Sequence, residues 1–85
     1  MIINYSSKFY KEYKRLSSEV KKKAEKQENI FRQNPFDPRL KTHRLTGKLQ
    51  NLWSFSVDYK TRIIFEFASE NLVWFHNVGS HSIYK

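Results

Sequence analysis

The chain of 85 residues contains no cysteine, only two glycines and only two prolines. The absence of cysteine excludes disulfide bonds, thiolate zinc sites, iron–sulfur clusters and thiol catalysis. Two glycines cannot supply a glycine-rich phosphate loop, and no two histidines have the i, i+4 spacing of a helical metal site. We therefore expect neither a metal ion nor a cofactor.

Long apolar runs are also missing. No stretch approaches the length of a membrane span, and residues 1–9 lack the apolar run of a signal peptide. A chain this short buries only about 60–65% of the surface that it exposes when unfolded, which excludes a two-domain enzyme or a large barrel. We expect one domain over residues 1–85, located in the cytoplasm and without membrane contact.

Acidic residues are scarce relative to basic ones, at 8 against 16, and the formal net charge is +8. A field of that sign on a small surface favours an anionic partner. Nucleic acid is the first candidate, an acidic protein the second and an anionic membrane the third. A charge that serves solubility alone is the remaining alternative. Aromatic residues are abundant, with seven Phe, five Tyr and two Trp, and must supply most of the core.

The first half of the chain has the pattern of a strand followed by two helices. Residues 1–5 are mostly apolar and predict a strand. The serine pairs at 6–7 and 17–18 can each cap a helix, and apolar residues at helical spacing follow both pairs. The second helix must end near Asn34 and Pro35, because proline cannot continue the helical ladder. Residues 37–46 are predicted to form a basic loop.

The second half has the period of two that is typical of strands. Trp53, Phe55 and Val57 alternate with polar residues, and residues 62–67 and 72–78 predict two further strands, with Gly79 ending the last one. The order β-α-α-β-β-β predicts an α+β fold. Its antiparallel, twisted sheet should be covered by both helices on one face.

Three histidines could carry acid–base chemistry, because imidazole exchanges its proton near neutral pH. His81 follows the predicted end of the last strand, a position where functional residues are often placed. His43 lies in the basic loop. His76 lies within an apolar strand, where a structural role is the better interpretation.

Arg62 is the cation that the pattern favours as a phosphate ligand. By alternation it should lie on the uncovered face of the sheet, together with Ser54 and Ser56. A planar guanidinium matches phosphate oxygens in pairs. The alternative is an exposed edge charge that pairs with Glu66 or Asp58.

A lysine-rich stretch comprises residues 21–23 and Lys26. It is either the solvated face of a helix or a site that binds a phosphate backbone. Among the aromatic residues, Tyr59, Trp74 and Tyr84 could stack on a nucleobase.

Three stretches together resemble the RelE/ParE superfamily of bacterial type II toxins. The first is residues 43–47, His-Arg-Leu-Thr-Gly. The second is the strand pair at residues 52–57 and 62–66, and the third is residues 77–84 with its Gly-Ser-His triplet. The resemblance spans nearly the whole chain and is strongest to the YafQ and YoeB branches.

The resemblance implies a RelE-like fold and a toxin that cleaves mRNA in the ribosomal A site, an endoribonuclease or mRNA interferase. It implies no metal, and an acidic antitoxin as the neutralising partner. In this resemblance, Arg62 matches the arginine that binds the scissile phosphate, and His81 matches the histidine that acts as acid or base. His43 matches a second proton carrier, and Tyr84 matches an aromatic residue near the end of the family's sequences. The RNA-binding residues are then predicted to be Arg39, Lys41, Arg44, Lys48, Ser54 and Ser56.

Two alternatives stay open on the same fold. One is a ParE-like inhibitor of DNA gyrase, which binds without RNA chemistry. The other is an inactive relative that only binds its antitoxin, because Ser54 and Ser56 stand where related toxins carry cations.

Overall fold

The computed structural model describes residues 1–47 and 51–80. This part of the chain contains two α-helices, α1 (Ser7–Lys14) and α2 (Ser18–Gln33), and a short 3-10 helix (Pro38–Leu40). Its strands are β1 (Ile2–Tyr5), β2 (His43–Arg44), β3 (Trp53–Ser56), β4 (Thr61–Ser69) and β5 (Leu72–Ser80). No helix in the described ranges combines the length and the apolar character needed to cross a membrane.

Both helices begin where the serine pairs predicted. The hydroxyl oxygen of Ser6 accepts a hydrogen bond from the main-chain N–H of Phe9 at 3.0 Å. That of Ser17 accepts one from Val20 at 3.2 Å. Each bond satisfies a donor that the first helical turn leaves unpaired. Helix α2 ends at Gln33, just before the Asn34-Pro35 pair, as predicted.

The strands form one sheet in the order β1-β5-β4-β3-β2. The predicted α+β class with two helices is confirmed, with three differences in detail. The sheet is mixed, because β1 runs parallel to β5 while the other pairs are antiparallel. Residues 43–44, expected in a basic loop, form the edge strand β2. Strand β5 continues past its predicted end, and Gly79 pairs in register with Arg62.

Phenylalanine rings join the helices to the sheet. Phe31 of α2 packs on Phe55, Phe65 and Phe75, with ring centroids 4.9–5.4 Å apart. Phe9 of α1 packs on Phe75 at 5.7 Å. The three strand residues lie on one face of the sheet, so both helices cover that face. We call the opposite face the outer face.

The register places a row of site candidates on the outer face. His43 pairs with Ser54, which pairs with Ile64, and Ser56 pairs with Arg62 one step further along the strands. Residues between them in sequence point to the helices, so this row points away from them. Ser54 is 0% exposed and Ile64 2% exposed. The expectation that this face is uncovered is therefore wrong at Ser54 and Ile64, and also at Ser56, which is 9% exposed.

Tyr5 connects the sheet to α2, and its ionisation should lower the stability of the fold at alkaline pH. Its hydroxyl donates to the carboxylate of Glu28, which also accepts from Arg32 at 3.2 Å. Burial and this Glu28 contact raise the pKa of Tyr5 from 10.0 to about 12. The folded state therefore holds the proton more tightly than the unfolded state. The resulting contribution to stability is complete below pH 10 and is lost as the pH rises to about 12.

We expect the Tyr5→Phe variant to lack this component when the free energy of unfolding is measured by urea denaturation between pH 9 and pH 12. Tyr59→Phe is the matched control, since Tyr59 is 90% exposed. A Tyr5→Phe variant whose stability declines with pH as steeply as that of the wild type would contradict this assignment.

Candidate active site

A cleft of about 340 Å³ opens where the β3–β4 turn meets α2 and the 3-10 helix. It is lined by Gln27, Arg39, Lys41, Ser56, Val57, Asp58, Tyr59 and Arg62. Four of these residues, Arg39, Lys41, Ser56 and Arg62, are site residues predicted from the sequence. The fold therefore brings the predicted phosphate ligand next to two predicted RNA-binding cations.

Arg62 is held by the main chain of the adjoining turn. Its Nη1 atom donates to the carbonyl oxygens of Asp58 at 2.6 Å, Thr61 at 3.1 Å and Tyr59 at 3.2 Å. These bonds orient the guanidinium without neutralising it, because carbonyls carry no formal charge. They also leave the N–H donors of Nε and Nη2. The alternative of a carboxylate pairing with Asp58 or Glu66 is wrong for the geometry observed here.

The Asp58 carboxylate shapes the turn that holds Arg62. Its Oδ1 atom accepts hydrogen bonds from the main-chain N–H groups of Lys60 at 2.9 Å and Thr61 at 2.8 Å. Burial opposes ionisation of Asp58, but these main-chain donors outweigh it and hold the pKa of the carboxyl below its ordinary value. Oδ2 lies 3.9 Å from the ammonium of Lys23 on α2. The turn is thus fixed to a helix on one side and to Arg62 on the other.

We expect Asp58→Ala to lower the free energy of unfolding by about 1.5–3 kcal/mol, because the turn loses hydrogen bonds to a charged acceptor. Asp58→Asn keeps one carbonyl oxygen as an acceptor and should retain most of that stability. Urea denaturation of both variants at pH 7 measures the difference. Equal stabilities for the alanine and asparagine variants would show that the Oδ1 acceptor does not hold the turn.

Arg39 reaches the cleft from the 3-10 helix, already paired with a carboxylate. Its Nε and Nη2 atoms donate to Asp37 at 3.0 Å and 2.9 Å. The Arg39 side chain and its main-chain N–H together lower the pKa of Asp37 to about 2. The guanidinium is 67% exposed, but its charge is compensated. Lys41, the next cation, ends the 3-10 helix in the left-handed conformation, with φ at 53°.

His43 lies on the edge strand β2 with its tautomer defined by one contact. The Nδ1 atom is 3.2 Å from the carbonyl oxygen of Lys41. A carbonyl can only accept, so this hydrogen bond requires a proton on Nδ1, and in the neutral form of the ring the lone pair is then on Nε2. Strands β2 and β4 are separated by β3 alone, which puts the backbone of His43 about 10 Å from β4, the strand of Arg62.

The remaining predicted RNA-binding residues of the described part are less well placed to contact RNA. Arg44 pairs in register with Trp53, which packs against the core, so Arg44 lies on the helix-side face of the sheet. Ser54 is fully buried and Ser56 is 9% exposed. His81, Tyr84 and Lys48 lie outside the described residues, and their roles stay predictions.

Two contacts that sequence reasoning missed help to build the site. Gln27 of α2 donates from Nε2 to the carbonyl oxygens of Ser56 at 2.9 Å and Arg39 at 3.2 Å, which joins both walls of the cleft. A glutamine on the apolar stripe of a helix was the available signal. Glu12 of α1 accepts from the N–H of Val78 at 3.1 Å and from Asn77 at 3.2 Å. It thereby anchors β5 near its end, at Asn77 and Val78.

Across residues 1–47 and 51–80, no group of three or more His, Cys, Asp or Glu side chains is arranged to hold a metal ion.

Known structures share this fold. The YafQ toxin of E. coli BL21(DE3) superposes with a TM-score of 0.80 at 21% identity, covering 96% of this chain and 94% of its own. The YoeB/ParE toxin of Agrobacterium tumefaciens gives 0.80 at 16% identity, with 95% and 99% covered. YafQ in the E. coli DinJ–YafQ toxin–antitoxin complex gives 0.77 at 21% identity, with 95% and 92% covered. Among curated protein sequences, none matches the chain significantly.

The model of the family described as the bacterial toxin of type II toxin–antitoxin system, YafQ, matches residues 1–84. With its α+β fold and its basic cleft, the chain is a toxin of a type II toxin–antitoxin system. It belongs to the YafQ toxin family.

Proposed function

We propose that this toxin is a ribosome-dependent mRNA endoribonuclease that works without a metal ion. The observation that supports the proposal most directly is how the Arg62 side chain is held in the cleft. Its guanidinium is oriented by three carbonyl oxygens, forms no ion pair with a carboxylate of residues 1–47 or 51–80, and lines a cleft with two further cations and Asp58. A preorganised cation of this kind stabilises charge that develops on a phosphate during reaction.

In the proposed reaction the ribose 2′-hydroxyl attacks the adjacent phosphorus in line with the departing 5′ oxygen. One P–O bond forms as the other breaks, and the products carry a 2′,3′-cyclic phosphate and a 5′-hydroxyl. The lone pair on Nε2 of His43 supports its role as the base that takes the 2′ proton. His81 is then the acid that protonates the 5′ oxygen, and Arg62 binds the phosphorane oxygens.

The ribosome supplies orientation in this proposal. General acid–base catalysis contributes about 10²–10⁴-fold, and holding the reacting atoms in line must supply the rest. Because His43 lies on an edge strand about 10 Å from β4, the orientation of the message decides whether both groups reach the same phosphate. A ribosome that presents the message in one fixed orientation meets that need.

The neutralising partner in this proposal is an acidic antitoxin protein. The formal charge of +8 and the unneutralised guanidinium of Arg62 both favour a polyanionic partner. In the solved complex of E. coli, YafQ is bound to the antitoxin DinJ, which supports a partner of the same class here.

Expression of the chain in bacteria, followed by mapping of message ends, tests this function. We expect translation to stop and new ends to appear within coding sequences, with 5′-hydroxyl groups downstream of each cut. A gyrase supercoiling assay with the purified chain should show no inhibition. Intact messages together with inhibited supercoiling would reject the nuclease and support the ParE-like alternative.

A further inference from the structure

A pair of aromatic rings lies on the outer face, at the end of the sheet away from Arg62. We propose that Trp74 and His76 form a stacking site for a base of single-stranded RNA. This proposal rests on the proposed function, because the same RNA strand is the one that presents its phosphate to Arg62. Neither residue belongs to the cleft described above.

The register places this pair on the outer face. Trp74 pairs with Glu66, and both flanking residues, Phe65 and Phe75, point into the core. The indole and imidazole rings are nearly parallel, with an interplanar angle of 15° and centroids 6.3 Å apart. Sheets that bind single-stranded RNA use aromatic rings presented in this way, because a base can stack on the flat side of a ring.

The His76 ring is oriented before any ligand arrives. Nε2 of His76 lies 2.8 Å from Oε1 of Glu66, and its carbonyl oxygen accepts a hydrogen bond from the Ser6 hydroxyl at 2.9 Å. His76 is also the extra residue of a β-bulge, since Ile64 pairs with Asn77 and Phe65 with Phe75. Bulges redirect side chains and are common near functional sites. An oriented ring loses little conformational freedom when a base binds.

Trp74, His76 and Glu66 are each partly exposed, and the cluster offers one polar contact. The His76 side chain is 32% exposed and that of Glu66 is 40% exposed. Oε1 of Glu66 is engaged by His76, which leaves Oε2 to accept from an exocyclic amino group, which cytosine, adenine and guanine carry and uracil lacks. We therefore expect bases with an exocyclic amino group to be preferred over uracil.

The spacing to Arg62 fits one RNA strand. Glu66 follows Arg62 by four positions on β4, which is about 13 Å at 3.3 Å per residue. Stacked nucleotides advance by about 3.4 Å each and an extended strand by more, so at most about four nucleotides span this distance. The proposed base is therefore a few nucleotides from the scissile phosphate.

The test is a fluorescence anisotropy titration of a fluorescein-labelled cytidine tetranucleotide. Stacking on an aromatic side chain contributes about 1–3 kcal/mol per base, so Trp74→Ala should weaken binding by about 5- to 150-fold. Trp74→Phe keeps an aromatic ring and should recover most of the affinity. Tyr10→Ala is the matched control, because it removes a 54% exposed aromatic residue from α1.

A second readout uses the intrinsic fluorescence of Trp74. Trp53→Phe leaves Trp74 as the only tryptophan of the chain, which has two. The tetranucleotide should quench its emission saturably, whereas an abasic ribose-phosphate tetramer should not. Equal affinities of the Trp74→Ala and Tyr10→Ala variants, or equal quenching by the abasic tetramer, would overturn the stacking site.

The two proposals fail separately. Stacking without message cleavage in the presence of ribosomes would reject the nuclease and retain the base-binding site. Cleavage that is unchanged in Trp74→Ala, with unchanged tetranucleotide affinity, would reject the site and retain the nuclease.

Discussion

Replacement of Arg62 by alanine should lower the rate of message cleavage by about 10²–10³-fold, the usual cost of removing a preorganised donor to a developing oxyanion. The reason lies in how the structure uses this side chain. Nη1 is anchored to carbonyls of the β3–β4 turn, so the charge is held in place without being neutralised. Arg62→Lys retains the charge but loses the planar fork, and should be intermediate.

The measurement is the single-turnover cleavage rate of a defined message on programmed ribosomes. Arg15→Ala is the matched control, because it removes the same charge from the exposed end of α1. Urea denaturation of each variant separates a catalytic effect from loss of the fold. An Arg62→Ala variant that is folded and cleaves as fast as Arg15→Ala would show that this guanidinium does not bind the reacting phosphate.

Replacement of His43 by alanine should lower the same rate by about 10²–10⁴-fold if its imidazole is the general base. His43→Gln offers a side-chain amide that can donate a hydrogen bond to the Lys41 carbonyl but cannot take a proton. We expect it to be as slow as the alanine variant, and the rate in both to lose the rise with pH that a catalytic base produces.

This result distinguishes chemistry from positioning. A glutamine variant with substantially restored activity would mean that the contact from Nδ1 to Lys41 matters and that proton uptake at Nε2 does not. Undiminished cleavage by His43→Ala would remove this residue from the reaction altogether. His81 would then remain the only histidine assigned to proton transfer.

Local signals in the sequence predicted the helices and the main strands. Ser6 and Ser17 cap the helices because a hydroxyl can satisfy an unpaired N–H within the same turn. The alternation of Trp53, Phe55 and Val57 indicated which side of β3 meets the helices, because side chains alternate along any strand. These features depend on neighbours within a few residues, so the sequence contains the information needed.

Features that depend on distant partners could not be predicted. The two residues of β2 are too few to show a period, and the parallel pairing of β1 with β5 depends on where the chain returns after the helices. The hydrogen bonds from Arg62 to main-chain carbonyls depend on the conformation of the β3–β4 turn. The burial of Ser54 depends on packing at the outer face. Polarity and alternation alone placed both side chains on an open surface.

The candidate site was predicted mainly by resemblance. Arg62, Arg39 and Lys41 lie around one cleft, and their roles in phosphate binding stay predictions. The roles assigned to His81 and Tyr84 stay predictions, because both residues lie outside the described ranges.

The central claim is that this toxin cleaves messages only on the ribosome and uses its own side chains for the chemistry. Its most direct test is cleavage of a defined message by the purified chain, with and without programmed ribosomes, for the wild type and for His81→Ala. The account predicts cleavage by the wild type with ribosomes only, and its loss in His81→Ala. A folded wild-type protein that leaves the message intact on programmed ribosomes would contradict it.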